Sequence, residues 1–308
     1  MLARISILGI GKMGGAMALR LREQGHALSL WNRSAAKAEA VKAEDLPGAC
    51  VVSESAAAAV AATAPDGMVV LVLSDTAACL ATLDSIRDVL GGRTVINLTS
   101  GSPDDGRAAA AALPAGVAYM DGAYCGPPAK ARQGAGVLFL SSEAEAEVDR
   151  LRPALGVLGE LCYTGTKIGA SRALDYAVVD LALVTYASLF SNMEMLEREG
   201  VDASQLHEHA AKRLSTVPGA LKLLHGRCAG ERTDAAYLAS PVATLGTIHA
   251  FWASRLPYYD AHGIPPVFPK AMAGLCEAAA TAGGGDHWAA DVSRMQEAMR
   301  PPAKAAEP

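Results

Sequence analysis

The chain has 308 residues, of which 51% are hydrophobic and 19% charged, and its formal net charge is -5. This length exceeds what one core ordinarily holds, so two domains are expected, and the composition is that of a soluble globular protein. The acidic balance and the scattered positive residues exclude nucleic-acid binding driven by charge.

The first half alternates. A strand over 3–8 leads into a glycine turn and helix over 9–25. Strand 27–31, helix 34–43, strand 49–52, helix 55–64, strand 68–73, helix 75–90 and strand 94–98 follow. Strands at 117–121, 137–141 and 160–163 continue the pattern. Short, continuously apolar strands between helices predict a parallel sheet covered on both faces. After residue 168 no strand pattern remains. Helices are predicted at 171–198, 203–213, 217–228, 234–260, 266–281 and 286–299, punctuated by Gly200, Gly230, Gly263, Pro265 and the glycine run 283–285. The tail 301–308 is expected to fray. The predicted architecture is α/β: a doubly wound dinucleotide-binding sheet over 1–166, a long interdomain helix over 167–198, and an all-α domain over 199–308.

Cys50, Cys79, Cys125, Cys162, Cys228 and Cys276 are dispersed, without metal-like spacing, and read as reduced thiols. His207 and His209 lie two apart on a predicted helix and so do not share a face, which argues against a metal site. The N-terminal apolar run is too short for a signal peptide. No apolar run reaches the roughly 20 residues of a membrane span. The helix at 173–190 comes nearest, but Asp175 and Asp180 interrupt it. A soluble, cytoplasmic protein with no membrane or nucleic-acid partner is the expectation.

Gly9-Ile10-Gly11-Lys12-Met13-Gly14 fits G-x-G-x-x-G, follows a strand and opens a helix, the context in which this motif binds a dinucleotide pyrophosphate. At the end of the second strand an NAD site usually places a carboxylate. Here the run is Asn32-Arg33-Ser34, with Lys37 one turn on. Arg33, Ser34 and Lys37 suit a 2′-phosphate, so NADP(H) is expected rather than NAD. Ligands in such a sheet lie beyond the carboxyl ends of the strands. Leu73 and Ser74 after the fourth strand, and Asn97 and Thr99 at the end of the fifth, are therefore expected along the cofactor.

The opening run from Gly9 to Ala38 resembles the superfamily of 6-phosphogluconate and β-hydroxyacid dehydrogenases. The segments 97–107, 120–128, 169–186 and 283–291 resemble imine reductases and reductive aminases within it. This resemblance spans roughly residues 3–299. It implies NADPH-dependent reduction of a C=N bond of a small-molecule imine, cyclic imines above all. It also implies a homodimer in which the helical domains intertwine and complete each other's sites. The long helix is apolar on nearly all sides and should be buried. Burial against a partner and burial within one chain both satisfy that.

The family's hydroxyacid dehydrogenases carry a lysine on this helix. No lysine lies between Gly169 and Gly200 here. By register from Gly169, the aspartate of many imine reductases falls on Asp175, implying a proton donor or a stabiliser of the iminium cation. The competing reading of Asp175 is an ion pair with Arg172, three residues earlier. Asp180, about 140° around the helix from Asp175, cannot face the same pocket and reads as a surface polar contact. The resemblance assigns Asn97 a contact to substrate near the nicotinamide. The tyrosine that members active in amine–ketone coupling often carry two turns after the aspartate is Leu183 here. Tyr124, His249, Trp252 and Tyr258 are further candidates to line a substrate pocket, each equally suited to a core position. The alternatives are a β-hydroxyacid or semialdehyde reductase, and a non-catalytic NADP-binding protein.

Overall fold

The structure, a computed structural model, describes residues 5–215, 217–218 and 245–281. The helix expected at 286–299, nearly all of that at 217–228, the first part of that at 234–260, Cys228, the glycine run 283–285 and the tail 301–308 lie outside the described residues.

The strands are β1 (Ile5–Leu8), β2 (Leu28–Trp31), β3 (Cys50–Val52), β4 (Met68–Leu71), β5 (Thr94–Asn97), β6 (Ala118–Cys125), β7 (Gly136–Ser141) and β8 (Gly159–Tyr163). They form one sheet in the order β3-β2-β1-β4-β5-β6-β7-β8. The helices of this part are α1 (Lys12–Glu23), α2 (Ala35–Ala43), α3 (Ala56–Ala61), α4 (Thr76–Ile86), α5 (Pro103–Ala111), α6 (Pro128–Gln133) and α7 (Glu145–Leu155).

Side chains alternate across a strand, so each apolar strand feeds both faces of the sheet. On one face Ile5, Ile7, Leu28, Leu30, Val70 and Ile96 pack with Met17 and Leu21 of α1. On the other, Leu8, Val69, Leu71 and Val95 pack with Val60 of α3 and Leu83 and Ile86 of α4. Every residue of β1, β4 and β5 is buried.

Two features depart from the expected parallel sheet. β6 and β7 pair antiparallel, Asp121 opposite Ser141 and Cys125 opposite Val137, while the other pairs are parallel. A parallel crossover takes about a dozen residues or more, and the connection from Gly126 to Ala135, occupied by the short α6, is shorter than that. β6 also runs on to Cys125, beyond the expected end at 121. The missing side chain of Gly122 is a packing requirement: a Cβ there would stand 2.6 Å from the Leu98 side chain and 2.8 Å from that of Leu140. The extension carries the strand to the edge where the site forms. α5 is marked by a capping box, Ser102 to Asp105, with Pro103 in its first turn.

The chain divides into two compact units, Met1–Leu183 and Val184–Pro308. α8 (Ala170–Arg198) begins in the first and continues into the second. Gly169 precedes it with φ +94°, where a Cβ would stand 2.9 Å from the Pro103 carbonyl oxygen. The second unit also holds α9 (Ala203–Leu214), α10 (Leu245–Ala253), α11 (Leu256–Ala261) and α12 (Val267–Thr281). The helix expected at 234–260 is therefore broken at Ser254–Arg255. In this unit Tyr259 is buried and donates to Asn192 Oδ1 at 3.3 Å.

The expected burial of α8 is not seen among the described residues. Leu181, Leu183, Val184, Tyr186 and Phe190 are 54%, 56%, 55%, 56% and 72% exposed. By length and composition this 29-residue helix, with a mean hydropathy of 1.5 over its most apolar window, is also long and apolar enough to cross a membrane. Asp175 and Asp180 do not bring it below that threshold.

Candidate functional site

A cavity of about 590 Å³ lies in the first unit, along the carboxyl ends of β1, β2, β4, β5 and β6. Its floor is the loop from β1 to α1. Gly9 takes φ +102°, and a Cβ there would lie 2.3 Å from the Val72 carbonyl oxygen. At Gly14 a Cβ would lie 2.0 Å from the Gly9 carbonyl oxygen, so this glycine is what lets α1 start against the loop. Gly11 differs, since a Cβ there would meet nothing within 4 Å. It faces open space over the N-terminus of α1, whose N-cap it is, without side-chain capping and without acidic residues in the first turn. The free N–H groups and the positive helix end make an anion site.

Lys12, Met13, Arg33, Ser34 and Lys37 line the same cavity. Lys12, Arg33 and Lys37 form no ion pair among the described residues, so three cations stand ready for phosphate. These features fit a dinucleotide, its pyrophosphate on α1 and an adenosine phosphate by Arg33. Asn32 also lines the cavity, but its carboxamide is engaged. Oδ1 accepts from Ile10 N at 2.8 Å and Nδ2 donates to the Ser34 carbonyl at 2.9 Å, pinning the glycine loop to the end of β2. Leu73 and Ser74 line the cavity after β4. The Ser74 hydroxyl donates to Asp75, the N-cap of α4, at 2.8 Å. Thr99 accepts from Leu73 N at 3.1 Å, tying the β4 and β5 ends together.

Asn97 is the expected site residue that does not line the cavity. It is 2% exposed. Its Oδ1 accepts from Thr99 N at 3.0 Å and its Nδ2 donates to the Tyr119 hydroxyl at 3.2 Å. Each end of the amide thus holds one neighbour, Thr99 on the oxygen side and Tyr119 on the nitrogen side. Burial, with the Asp121 charge beside it, holds the Tyr119 phenol far above its ordinary pKa and therefore protonated.

The start of α8 closes the cavity with Arg172, Asp175 and Tyr176. Arg172 and Asp121 are 2% and 0% exposed and form an ion pair, Nε to Oδ1, at 2.7 Å. Arg172 Nη1 also donates to the Thr99 carbonyl at 2.8 Å. Ser171 donates to the Asp121 carbonyl at 3.0 Å and to its Oδ2 at 3.2 Å. Burial opposes the charge of Arg172, but the Asp121 carboxylate and its hydrogen bond outweigh that and hold the guanidinium pKa above its usual value. The expected competing pair, Arg172 with Asp175, is thus not formed. The sequence held a signal for the true one: a lone acid closing the apolar strand 117–121 and a lone base in an apolar helix both need a buried partner.

Asp175 is left without that cation. Its Oδ1 is buried and accepts no hydrogen bond. Burial raises its pKa above the ordinary carboxylate value, an effect that the Cys125 thiol at the end of β6 offsets in part. A carboxyl in this setting favours the protonated form. Tyr124 lines the cavity, but its hydroxyl donates to the Leu158 carbonyl at 2.9 Å and accepts from Gly136 N at 3.1 Å, leaving only the ring for a ligand. Asp180 is exposed. His249 pairs with Glu277, Trp252 stacks edge-on with Phe251, and Tyr258 donates to Glu199, all within the second unit.

Residues 4–169 match the family described as the NAD binding domain of 6-phosphogluconate dehydrogenase. An NADPH-dependent reductive aminase of Aspergillus oryzae is 28% identical over 201 residues, 65% of each chain, so the match spans a little under two thirds of that relative. Among solved structures, a reductive aminase from Aspergillus terreus in complex with NADPH and ethyl levulinate superposes with a TM-score of 0.81 at 27% identity, covering 97% of this chain and all of that one. An imine reductase from the same organism in complex with NADPH4 gives 0.81 at 26% identity, covering 95% of this chain and 99% of that one.

Proposed function

We propose, from the premise that the chain belongs to the family of the NAD binding domain of 6-phosphogluconate dehydrogenase, that it is an NADPH-dependent imine reductase, reducing C=N bonds to amines. The observation that carries this is Asp175, a pocket carboxyl raised in pKa by burial and free of its neighbouring arginine. The similarity to reductive aminases and imine reductases supports the same reaction.

NADPH supplies the hydride when bound. Gly9, Gly11 and Gly14 would admit its pyrophosphate, Lys12 and the α1 N-terminus would offset the charge, and Arg33, Ser34 and Lys37 would hold the 2′-phosphate. Leu73, Ser74 and Thr99 line the same cavity and would border the bound cofactor. Asp175 gives its proton to the imine nitrogen, and the carboxylate left behind stabilises the iminium ion until its carbon is reduced. Asn97 and Thr99 keep the β5 end rigid beneath the reacting groups.

Cyclic imines are the substrates we expect. Coupling of a free amine with a ketone is a separate capacity, and the residue two turns after Asp175 is Leu183. The absence of lysine from Gly169 to Gly200 weighs against hydroxyacid or semialdehyde reduction. We assign a homodimer to the protein, the exposed face of α8 meeting a second copy and 199–308 acting as dimerisation and substrate domain. A cytoplasmic location accords with Cys79, Cys125 and Cys162 as free thiols.

The test is turnover. Purified protein should oxidise NADPH when a cyclic imine such as 2-methyl-1-pyrroline is added, and Asp175→Ala should lose roughly 10²–10⁴-fold in kcat, the usual worth of a general acid. Full activity in that variant would remove Asp175 from the chemistry. NADPH binding without turnover across a broad imine panel would favour a non-catalytic role.

A further inference from the structure

We propose that Arg172 determines substrate specificity: the free Nη2 of its guanidinium takes a carboxylate borne on the imine carbon, so that the preferred substrates are 2-imino acids. This rests on the reading of the protein as an imine reductase with Asp175 as proton donor.

Among the described residues, two buried side-chain atoms lack a hydrogen-bond partner, Arg172 Nη2 and Asp175 Oδ1. A buried polar group left unpaired costs stability, so such groups are few and each has a reason to be sought. Both of these belong to residues that line the cavity. They lie three residues apart on α8 and therefore on one face of the helix. They do not bond each other. One small ligand can satisfy both, presenting a nitrogen to Asp175 and an oxygen to Arg172.

The guanidinium is fixed in advance. Arg172 is 2% exposed. Its Nε donates to Asp121 at 2.7 Å and its Nη1 to the Thr99 carbonyl at 2.8 Å. Nη2 is thus the arm left for a ligand in the cavity, and two anchors hold it in place before the ligand arrives. The Asp121 carboxylate keeps the group charged, and a charged guanidinium donor is matched best by a carboxylate oxygen.

The cofactor phosphates leave this arm unused. The cations lining the cavity are Lys12, Arg33, Lys37 and Arg172, and the first three serve phosphate in the function proposed above. Arg172 is joined to β6 and to the segment after β5, whereas Arg33 follows β2, four strands away in the sheet. At about 4.8 Å per strand this is roughly 19 Å, which puts Arg172 out of reach of the 2′-phosphate. In a 2-imino acid the carboxylate is bonded to the carbon of the C=N group. With that carboxylate on Arg172, the imine nitrogen falls to Asp175. Hydride from NADPH adds to the imine carbon, the C=N π pair takes the Asp175 proton at nitrogen, and a 2-amino acid and NADP+ result. Asp175 regains its proton from water.

The test compares 1-pyrroline-2-carboxylate with 2-methyl-1-pyrroline, which differ only in the group on the imine carbon. With NADPH, kcat/KM should favour the carboxylate by about 10- to 100-fold, the worth of a hydrogen bond to a charged group. In Arg172→Met combined with Asp121→Leu, which strands no charge, this ratio should fall by about the same factor with KM for NADPH unmoved. The ratio is the readout, so a general loss of activity cancels. If that variant does not fold, Arg172→Lys serves in its place: it keeps a charge beside Asp121 but lacks the fork, and the ratio should fall several-fold. A second readout needs no turnover. Calorimetry on the NADP+-loaded protein should show proline binding about tenfold or more tighter than pyrrolidine, and the variant should lose that difference. Equal kcat/KM for the two imines in wild type, or a preference that the variant keeps, overturns the proposal. A raised KM for NADPH with the ratio unmoved gives the arm to the cofactor and overturns it as well. If 2-methyl-1-pyrroline is reduced and the carboxylate is not, the role of Arg172 fails alone. If neither imine is reduced, the reductase reading fails and takes this proposal with it.

Discussion

Arg172 shows how one side chain decides what its neighbours can do. By helix spacing it could have paired with Asp175, and sequence offered no way to choose. The structure commits it to Asp121, which has no exposed surface, and to the carbonyl of Thr99. This fastens the helix carrying Asp175 to the strand end beside it, and it leaves Asp175 in an environment where burial sets its pKa. Truncating one partner of a buried pair strands the other charge, so Arg172→Met should destabilise the protein by roughly 3–5 kcal/mol, measured by urea unfolding at neutral pH. Arg172→Met with Asp121→Leu should recover much of that loss, because no charge is then left behind. A loss under about 1 kcal/mol in the single variant would mean that water replaces the arginine readily.

At the scale of elements, the glycine loop and α1 were legible almost in full. Strand, glycines and helix follow from local chemistry, and the structure gives each glycine a separate reason. Gly14→Ala must push α1 away from Gly9, whereas Gly11→Ala has open space and an ordinary φ of -79°. Gly11→Ala should therefore keep the wild-type melting temperature but lose NADPH affinity by about tenfold or more, since its methyl occupies the approach to the helix N-terminus. Gly14→Ala should lower the melting temperature as well. Calorimetry with and without NADPH separates the two, and equal melting losses would contradict the geometry. β6 was legible only in its first half. Nothing local announces the antiparallel partner that carries the strand to Cys125. Asn97 was found by its place at a strand end, but its side-chain direction depends on Tyr119, which is distant in sequence.

For the whole molecule, the apolar face of α8 sets the question of assembly. Residues as large as Phe190 and Tyr186 stand more than half exposed in the single chain. Large apolar side chains exposed on more than one side of a helix mark an interaction surface. With a second copy as its partner, Leu181→Arg combined with Phe190→Arg should convert dimer to monomer in light scattering at micromolar concentration, with imine turnover lost alongside. A wild-type protein that is monomeric at that concentration would refute the dimer. Solubility only in detergent would instead favour a membrane for this helix.

What the sequence by itself determined was the order of elements, the α/β class and the glycine site. These depend on residue spacing and local backbone chemistry, which a chain carries wherever it folds. Only the tertiary structure decided the antiparallel turn of the sheet, the hydrogen bonds of Asn97 and the pairing of Arg172 with Asp121. Each of these depends on which of several chemically equal partners lies within hydrogen-bond reach, and that choice is made by packing between segments far apart in the chain.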